Sequence, residues 1–384
     1  MGCQSASDGQ TKTLLASNFS RTGYGFAGWS DKYDYATNSS AKFYGPQEDV
    51  TVPTGTTANG LSLYAVWVKS QGSLQDTSKV ASICSNLTTA PIDGTADLSS
   101  VSALTDQRDN QTYAIAKLAD GKCWMIENLR LDNTAELTTT NTNNPLNDGT
   151  NVTLKHNYTD ADAYNTLSPI SNVAYNATTA PEGWCTTNST TCHDQSRLRT
   201  DNTANRATGN PNTNSGSMYS YGNYYNWYSA TAGNGTYDYS TNNNSVGGDL
   251  CPAGWKLPKG GQTTINTTAD FYVLGKSLMR GGNGDSIEPN QDASSGYGYY
   301  DNTPTNTNGD TATKAFRKYP NNYLYSGYVN GGSLDNRGTF GDYWSSTARN
   351  YNNACHLYLD SSGVHPGTNY NPKYNGYAVR CIVQ

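Results

Sequence analysis

Near the C-terminus a thiol and an imidazole stand side by side, at Cys355 and His356. A nucleophile and its general base would need such a pair, which makes covalent catalysis the first activity to consider. Residues 354–360 alternate as a β-strand does, however, and neighbouring side chains of a strand point to opposite faces. The two groups should therefore not meet, and the sequence has no Gly-x-Ser-x-Gly, phosphate-loop or His-based metal motif. We predict no enzymatic activity, no cofactor and no metal site.

The alternation assigns the side chains of this strand to two environments. We expect the leucine-bearing face to be core and to consist of Cys355, Leu357 and Leu359. The polar face should be exposed, and it carries His356, Tyr358 and Asp360. Cys355 should then lie inward or at the strand edge, either free or paired with Cys3 or another cysteine.

Cysteine usage indicates the compartment. The eight cysteines are dispersed, without a Cys-x-x-Cys pair or a zinc-like Cys/His spacing. Dispersed cysteines in a chain rich in Asn, Thr and Tyr favour disulfides formed in an oxidising environment, with reduced core cysteines as the alternative. Cys185 and Cys192 are close in sequence and should staple one local loop.

Composition excludes several classes of function. Only 15% of the residues are charged, while 30 are Tyr and 38 are Gly, which favours a folded, β- and loop-rich protein over a disordered one. The net charge of −6 and the lack of a Lys/Arg stripe argue against nucleic-acid binding. No apolar run reaches the roughly 18 residues that cross a bilayer, so we predict no membrane span.

Residues 1–70 form the first predicted domain. Aromatic and β-branched residues alternate with small ones in Phe19–Trp29 and Leu61–Trp67, which predicts short strands. The ordered strings Arg-Thr-Gly-Tyr, Phe-Ala-Gly-Trp and Leu-Tyr-Ala-Val-Trp resemble the small β-rich Listeria–Bacteroides repeats of surface proteins such as the listerial internalins. Residues 71–79 have linker composition, so we place the domain boundary there.

The second predicted domain spans residues 80–384. Two strands at 113–118 and 123–129, joined by an Asp-Gly turn, predict a β-hairpin. Apolar spacing predicts a short helix over 271–279, whereas 133–245 and 280–322 should be mostly polar loops. The tail should return to strands at 323–329, 341–347, 354–360 and 377–383. Core packing is expected of Trp29, Trp67, Trp124 and Trp255.

Five motifs follow one another in this domain: Gln111–Lys117, Cys123–Arg130, Gly254–Pro258, Tyr343–Thr347 and Gly376–Cys381. Together they resemble the Fibrobacter succinogenes major paralogous domain, which is related to the C-type-lectin-like and formylglycine-generating-enzyme-like folds. The resemblance implies an α+β, loop-rich protein in which a small N-terminal β-rich repeat precedes a C-type-lectin-like domain with long insertions. It also implies that the strand with Val379–Cys381 is central, and that the disulfides are Cys251–Cys381 and Cys84–Cys123.

The tail from 343 to 377 also resembles the variable proteins of diversity-generating retroelements, which display mutated side chains on this fold. In those systems adenine-directed mutation of Asn codons yields residues such as Tyr, Asn, Asp, His and Ser, but not Lys, Gln, Glu, Met or Trp. Between Ser345 and Tyr377 only Lys373 belongs to the excluded set. The alternative is that these are solvated loop residues of an Asn-rich chain.

A binding surface built from this tail would use the residue types of antibody paratopes. Tyr offers rigid amphipathic contact area at low entropy cost, and Asn offers adaptable hydrogen bonds. The expected anchors are Tyr351, Tyr370 and Tyr374. Amide contacts are expected from Asn350, Asn352, Asn353, Asn369, Asn371 and Asn375. The set is completed by Arg349, His356, Tyr358, Asp360, His365 and Thr368.

Calcium-dependent sugar binding is an alternative, because Glu288-Pro-Asn290 matches a sugar-binding tripeptide of true C-type lectins. The companion Trp-Asn-Asp motif is missing, since Trp344 is followed by two serines. We therefore attribute the tripeptide to chance.

The resemblances imply an extracellular bacterial adhesin or receptor-like protein that displays a diversified C-terminal surface. We expect it to be attached to the cell surface through a segment outside these residues and to bind a protein or glycan on another cell. The alternatives are a non-diversified structural or spacer protein, and a formylglycine-generating type of enzyme. That enzyme would need a reactive cysteine pair in one cleft.

Overall fold

The computed structural model describes residues 7–14, 20–55, 61–92, 95, 97–130, 136–137, 152–153, 221–222, 224–231, 249–261, 268–279, 290–292, 296–300, 308–330, 333–350, 353–373 and 375–384. These residues form a mixed α+β structure of short strands and few helices, which confirms the α+β class. The helices are α1 (Thr77–Asn86), α2 (Trp227–Ala230), α3 (Asp270–Leu278) and α4 (Asn308–Arg317), with a 3-10 turn at Leu98–Ser100.

The N-terminal strands build a small sheet and a separate strand pair. They are β1 (Thr11–Thr13), β2 (Tyr24–Ser30), β3 (Phe43–Tyr44), β4 (Asp49–Thr51) and β5 (Tyr64–Lys69). The order β3-β2-β5 defines the repeat sheet, and β1 pairs with β4. The two strands predicted from Phe19–Trp29 and Leu61–Trp67 are confirmed as β2 and β5, which pair antiparallel.

Two five-stranded sheets and two short strand pairs contain the remaining described strands. The strands are β6 (Val101–Thr105), β7 (Thr112–Lys117), β8 (Cys123–Met125), β9 (Glu136–Leu137), β10 (Val152–Thr153), β11 (Trp255–Lys256), β12 (Asn290–Asp292), β13 (Gly296–Tyr300), β14 (Tyr328–Asn330), β15 (Ser333–Asp335), β16 (Gly341–Ala348), β17 (Asn353–Leu359), β18 (Gly363–Pro372) and β19 (Ile382–Val383). The order β11-β19-β8-β7-β6 defines the hairpin sheet, and β12-β13-β18-β17-β16 defines the tail sheet. The short pairs are β9–β10 and β14–β15.

The predicted β-hairpin is confirmed as β7 and β8, with Ile115 opposite Met125. Side chains of β7 alternate between two hydrophobic clusters, as the period of a strand requires. Tyr113 and Ile115 enter one cluster, while Ala114 and Ala116 enter the other. The hairpin sheet is therefore covered on both faces.

The repeat sheet packs directly on this hairpin. At Gly25 a Cβ atom would lie 2.3 Å from the backbone nitrogen of Ala114, so the close approach of β2 to β7 requires a glycine. The buried carboxylate of Glu127 accepts hydrogen bonds from the backbone N–H groups of Phe26, at 3.1 Å, and Ala114, at 2.6 Å. The first segment thus shares a core with the second.

The composition of residues 71–79 predicts a linker. In the structure, however, these residues pack against the hairpin sheet. The backbone N–H groups of Gln71 and Leu74 donate to the carbonyls of Ala103 and Thr105, each at 2.9 Å. Helix α1 begins at Thr77. The polar side chains that suggest a linker are used here for turns and for capping the helix.

Both expected disulfides are present, which confirms that pairing. Cys84 of α1 bonds to Cys123 of β8. Cys251 bonds to Cys381, the residue before β19. Strand β19 lies between β11 and β8 in the hairpin sheet. Cys3, Cys185 and Cys192 lie outside the described residues.

Other local predictions have mixed outcomes. The helix predicted at 271–279 is confirmed as α3, and Trp124 and Trp255 are core residues, whereas Trp29 and Trp67 are only partly buried. The predicted strands at 341–347 and 354–360 are confirmed as β16 and β17. The predicted strands at 323–329 and 377–383 are wrong in length, because only Tyr328–Asn330 and Ile382–Val383 form ladders.

The loops predicted over 280–322 are wrong in part, because β12, β13 and α4 lie there. Helix α4 places Ala312 and Phe316 in the core despite its polar composition. Most of 133–245 lies outside the described residues, apart from β9, β10, α2 and the residues flanking α2. Within the described part of the chain, no helix is both long enough and apolar enough to cross a membrane.

Candidate functional site

The end of the β16–β17 hairpin is closed by a compact turn. The backbone N–H groups of Arg349 and Asn350 both donate to the carbonyl of Asn353, at 2.9 and 3.1 Å. Asn350 Oδ1 in turn accepts the N–H of Asn353 at 2.9 Å. These reciprocal bonds fix the direction in which residues 349, 350 and 353 leave the sheet.

The last residues of β18 lie beside this turn. In the antiparallel pairing of β17 with β18, Asn353 is opposite Pro372 and Cys355 is opposite Tyr370. Six predicted site residues are thereby brought together in a cluster that we call the tail edge: Arg349, Asn350, Asn353, Asn369, Tyr370 and Asn371. All six are partly or fully exposed, and Tyr370 has 39% of its surface exposed.

Arg349 and Tyr370 form the charged and aromatic part of the tail edge. The guanidinium carbon of Arg349 lies 5.3 Å from the centroid of the Tyr370 ring, within the range of a cation–π contact. Among the described residues Arg349 has no acidic partner, and its Nε atom is buried without a hydrogen bond. No acidic side chain among the described residues therefore neutralises the positive charge of Arg349.

The leucine-bearing face of β17 is core, as predicted. Leu357 and Leu359 are fully buried and pack with Tyr343 of β16. Cys355 is buried on the same face and forms no disulfide with any described residue. Burial raises the pKa of its thiol to about 12, although the positive charge of Arg349 opposes this shift.

The prediction that the polar face of β17 is exposed is wrong at His356, which is fully buried. Its ring centroid lies 5.9 Å from that of Trp344 and 4.8 Å from that of Tyr377. Trp344 is the cross-strand neighbour of His356 on β16, and the Tyr377 ring packs against both side chains, so this face is covered. Alternation along a strand separates its two faces, but it does not tell whether the polar face is covered.

His356 also contacts a buried acid. Its Nε2 atom lies 3.2 Å from Oδ1 of Asp342. Asp342 belongs to β16 and lies opposite Tyr358 of β17. Burial raises the pKa of Asp342, while the nearby imidazole opposes that shift. Oδ2 of Asp342 and both ring nitrogens of His356 lack a hydrogen bond of good geometry within the described part of the chain, so the 3.2 Å approach is a close polar contact.

Tyr358, Asp360 and His365 form a second group beyond the bulge that separates them from the tail edge. Tyr358 Oη donates to Asp360 Oδ2 at 2.7 Å, and the Tyr358 ring lies 5.5 Å from that of His365. Oδ1 of Asp360 accepts the N–H groups of Ser362 and Gly363, so this carboxylate holds the β17–β18 turn. These three residues do not join the tail edge.

Three further candidates are buried rather than exposed: His365, Thr368 and Asn375. For His365 and Thr368 the reason lies at Gly367, whose φ of +85° bends β18. A Cβ there would lie 2.7 Å from the Cα of Gly260, so the strand bends against another segment. Asn375 Nδ2 donates to the Tyr377 hydroxyl at 3.4 Å.

Lys373, which the resemblance marks as outside the variable set, is buried beneath the tail edge. Its ammonium nitrogen lies 4.7 Å from the ring of Trp227. Its backbone carbonyl accepts the backbone N–H of Trp227 at 2.8 Å. The residue therefore belongs to the support of the surface rather than to the surface.

Several predicted residues lie outside the described part of the chain: Tyr351, Asn352, Tyr374 and Glu288. Conversely, sequence reasoning missed the support formed by Asp342, Trp344 and Tyr377. The Tyr343–Thr347 motif was the available signal, since the alternation of β16 sends Tyr343 to one core cluster and Trp344 to the other.

Comparisons with known proteins give no indication of the function. No protein-family model, curated protein or solved structure matches this chain. Within the described residues, no group of three or more His, Cys, Asp and Glu side chains is arranged to hold a metal ion.

Proposed function

We propose that this chain is an extracellular ligand-binding protein, of adhesin or receptor type, whose contact surface is the tail edge on a C-type-lectin-like scaffold. One observation carries the proposal. Residues from two separate segments, the 349–353 turn and the end of β18, converge at one end of paired strands. Their aromatic, amide and guanidinium groups are those that recognition surfaces use.

The support beneath the tail edge favours binding because it is closely packed. Trp344 Nε1 donates to the Tyr225 carbonyl at 2.7 Å, and the Trp344 and Tyr377 rings lie 4.2 Å apart. A surface held by such packing loses little conformational entropy when a ligand binds. Substitutions at the exposed positions would change specificity while leaving the support intact.

Diversification of the tail is part of the proposal. The exposed residues of the tail edge are of the types that adenine-directed mutation produces, and the excluded type, Lys373, is buried. The variable set that we propose is narrower than the sequence suggested. It omits the buried positions 356, 365, 368 and 375.

An oxidising location is consistent with the disulfides. Cys84–Cys123 and Cys251–Cys381 both join segments that are distant in sequence, with separations of 39 and 130 residues. Such bonds persist in extracellular compartments.

The chemistry of a formylglycine-generating type of enzyme is not favoured by the tail cysteine. A reactive thiol needs a lowered pKa and access to substrate. Cys355 is buried, and its pKa is raised to about 12. His356, on the opposite face of β17, cannot act as its base.

The proposed function is tested by binding of labelled protein to cells of the community in which it occurs. We expect the variants Tyr370→Ala and Asn369→Ala to reduce binding about tenfold or more, as loss of a contact at a small interface does. The matched control is Tyr33→Ala, because Tyr33 is 77% exposed on the N-terminal segment. Equal binding by all three variants and the parent protein would refute the tail edge as the contact surface.

A further inference from the structure

We propose, resting on the function proposed above, that His356 and Asp342 form a pH sensor beneath the tail edge. When this buried pair takes up a second proton, the His356 ring leaves its place, the tail edge loses its support and the ligand is released. The position of the pair, its burial and its connection to the tail edge carry the proposal.

His356 lies on the same face of the tail sheet as two amides of the tail edge. In the pairing of β17 with β18, His356 is opposite Asn369. Ala354, two residues earlier on the same face, is opposite Asn371. Opposite residues of an antiparallel pair extend to one face of the sheet, where their side chains are neighbours. The face that contains the pair is therefore continuous with the tail edge.

Tyr377 connects the pair to the tail edge. Its ring lies 4.8 Å from that of His356, and its hydroxyl forms a hydrogen bond with the side chain of Asn371. Asn375 Nδ2 donates to the same hydroxyl at 3.4 Å. A displacement of the His356 ring would remove a packing partner of Tyr377 and so disturb the amide of Asn371.

The burial of the pair makes its net charge decisive. The side chains of His356 and Asp342 are 0% and 2% exposed, and they approach to 3.2 Å. With one proton the pair has no net charge. A carboxylate beside a neutral imidazole is disfavoured, because burial raises the pKa of Asp342, although the imidazole opposes that shift. A second proton leaves a buried imidazolium beside a neutral carboxyl group, and an uncompensated buried charge is costly.

The described residues offer little to hold a charged imidazole in this place. Neither ring nitrogen of His356 has a hydrogen bond of good geometry among them. A protonated imidazole has two N–H donors, which water would satisfy if the ring moved outward. Histidine side chains change charge between about pH 5 and 8. Acidification through this range should therefore move the ring away from Tyr377.

The other titratable and charged groups around the pair come from the segments packed against it. Four are tyrosines whose pKa is raised by burial, so they stay neutral below pH 8: Tyr224, Tyr328, Tyr358 and Tyr377. The carboxylates are Asp335, whose charge acts on Tyr328, and Asp360, which accepts N–H groups of the β17–β18 turn. The cations are Arg337, which donates to Tyr224 Oη at 2.9 Å, and Lys373, on the ring of Trp227.

The second histidine of this face provides the matched control. His365 is also buried, and its ring lies 5.5 Å from that of Tyr358. It is separated from His356 by the bulge between β17 and β18. The variants His356→Gln and His365→Gln each remove one titrating ring, and the glutamine amide at 356 keeps a polar group beside Asp342.

The first test measures hydrogen exchange of the parent protein at pH 8, 7, 6 and 5 by mass spectrometry. Below the transition we expect peptides covering β17 and β18 to exchange about tenfold faster than the intrinsic pH dependence allows, because a one-unit difference in pKa between two states changes their ratio tenfold. In His356→Gln this excess should be absent, and in His365→Gln it should remain. Exchange that follows only the intrinsic rate would overturn the proposal, as would an excess that His365→Gln removes and His356→Gln keeps.

NMR of the parent protein with labelled histidine tests the proton directly. The chain has four histidines, so His356→Gln and His365→Gln identify the signals of these two residues by their loss. We expect the His356 signal to titrate between pH 8 and 5 together with the excess exchange. A His356 signal that is constant over this range excludes it as the sensor. If His356→Gln does not fold, the exchange of the parent protein and of His365→Gln still decides the question.

Cell binding separates the sensor from the proposed function. We expect labelled parent protein to bind cells about tenfold less at pH 5 than at pH 7, to recover at pH 7, and His356→Gln to bind nearly equally at both. If Tyr370→Ala abolishes binding while the parent protein binds equally at pH 5 and 7, the sensor fails and the tail edge remains the contact surface. If binding ignores every substitution in the tail edge, both proposals fail.

Discussion

Nε2 of His356 lies 3.2 Å from Oδ1 of Asp342, and both side chains are buried under the surface that we propose to bind ligand. Two strands of the tail sheet, β16 and β17, are therefore joined through their side chains as well as their backbones. His356, which alternation places on the exposed face of β17, is therefore part of the support.

Removal of the imidazole should destabilise the fold. In the variant His356→Ala, Asp342 remains buried without a partner, and a cavity opens between Trp344 and Tyr377. We expect the free energy of unfolding to fall by about 3 to 5 kcal/mol, measured by urea denaturation at pH 7. Tyr33→Ala, at an exposed site, should change it by less than about 0.5 kcal/mol. A loss below about 1 kcal/mol for His356→Ala would contradict this role.

Burial also sharpens the expected pattern of diversification. Sequencing the 3′ end of the gene across many cells should show substitutions at codons 349, 350, 353 and 369–371, where the side chains are exposed or partly exposed. Codons 356, 365, 368, 373 and 375 should be constant, because their side chains are buried. Codons 133–245 provide the baseline. A tail no more variable than that baseline would refute diversification, and variation spread equally over both sets would refute the proposed boundary.

Local patterns predicted much of the scaffold. The β7–β8 hairpin follows from alternation around an Asp-Gly turn, and helix α3 follows from its apolar spacing. Both described disulfides follow from a family resemblance rather than from spacing. In each case the deciding information lies within a short stretch of chain or in ordered motifs.

The missed features depend on contacts between distant segments. Strand β18 contains Pro366, Gly367 and Pro372, and it is a strand because β17 and β13 pair with its two sides. Helix α4 is polar in sequence and is stabilised where Phe316 enters the core. The buried state of His356 likewise depends on Tyr377, which comes from another part of the chain. The periodicity of one segment does not show which distant segments pack against it.

The junction between the N-terminal segment and the hairpin should depend on Glu127. Its buried carboxylate accepts the N–H groups of Phe26 and Ala114 and lies 3.2 Å from Arg130. Glu127→Ala leaves two buried donors and a buried guanidinium without this acceptor, so we expect a loss of about 3 to 5 kcal/mol. Limited proteolysis should then cut within residues 71–79, which the parent protein protects by hydrogen bonds to β6.

The control for this junction is an exposed acid. Asp310 pairs with Lys314 on the surface of α4 at 2.5 Å, with side chains 42% and 57% exposed. Asp310→Ala should cost no more than about 0.5 kcal/mol, since exposed pairs contribute little. If Glu127→Ala costs as little as Asp310→Ala and leaves 71–79 protected, the N-terminal segment is not anchored through this carboxylate.

The carboxyl group of Asp249 should make stability fall as the pH rises. Burial raises its pKa to about 6, although the N–H groups of Leu257 and Cys251 and the charge of Arg108 oppose the shift. Between the unfolded pKa, near 4, and about 6, the folded state binds more protons than the unfolded state, so the stability from this group is present below pH 4 and is lost as the pH rises through 6. A shift of about two pH units corresponds to roughly 3 kcal/mol.

Urea denaturation of the parent protein and of Asp249→Asn at pH 4, 5, 6 and 7 isolates this contribution. The difference in unfolding free energy, parent minus variant, should decrease from pH 4 to about 6 and then level off, because the variant cannot ionise at this position. A difference that increases with pH would mean that the backbone donors, 2.8 and 2.9 Å from the carboxylate, outweigh its burial and keep it ionised. A difference independent of pH would mean that the two opposing effects cancel.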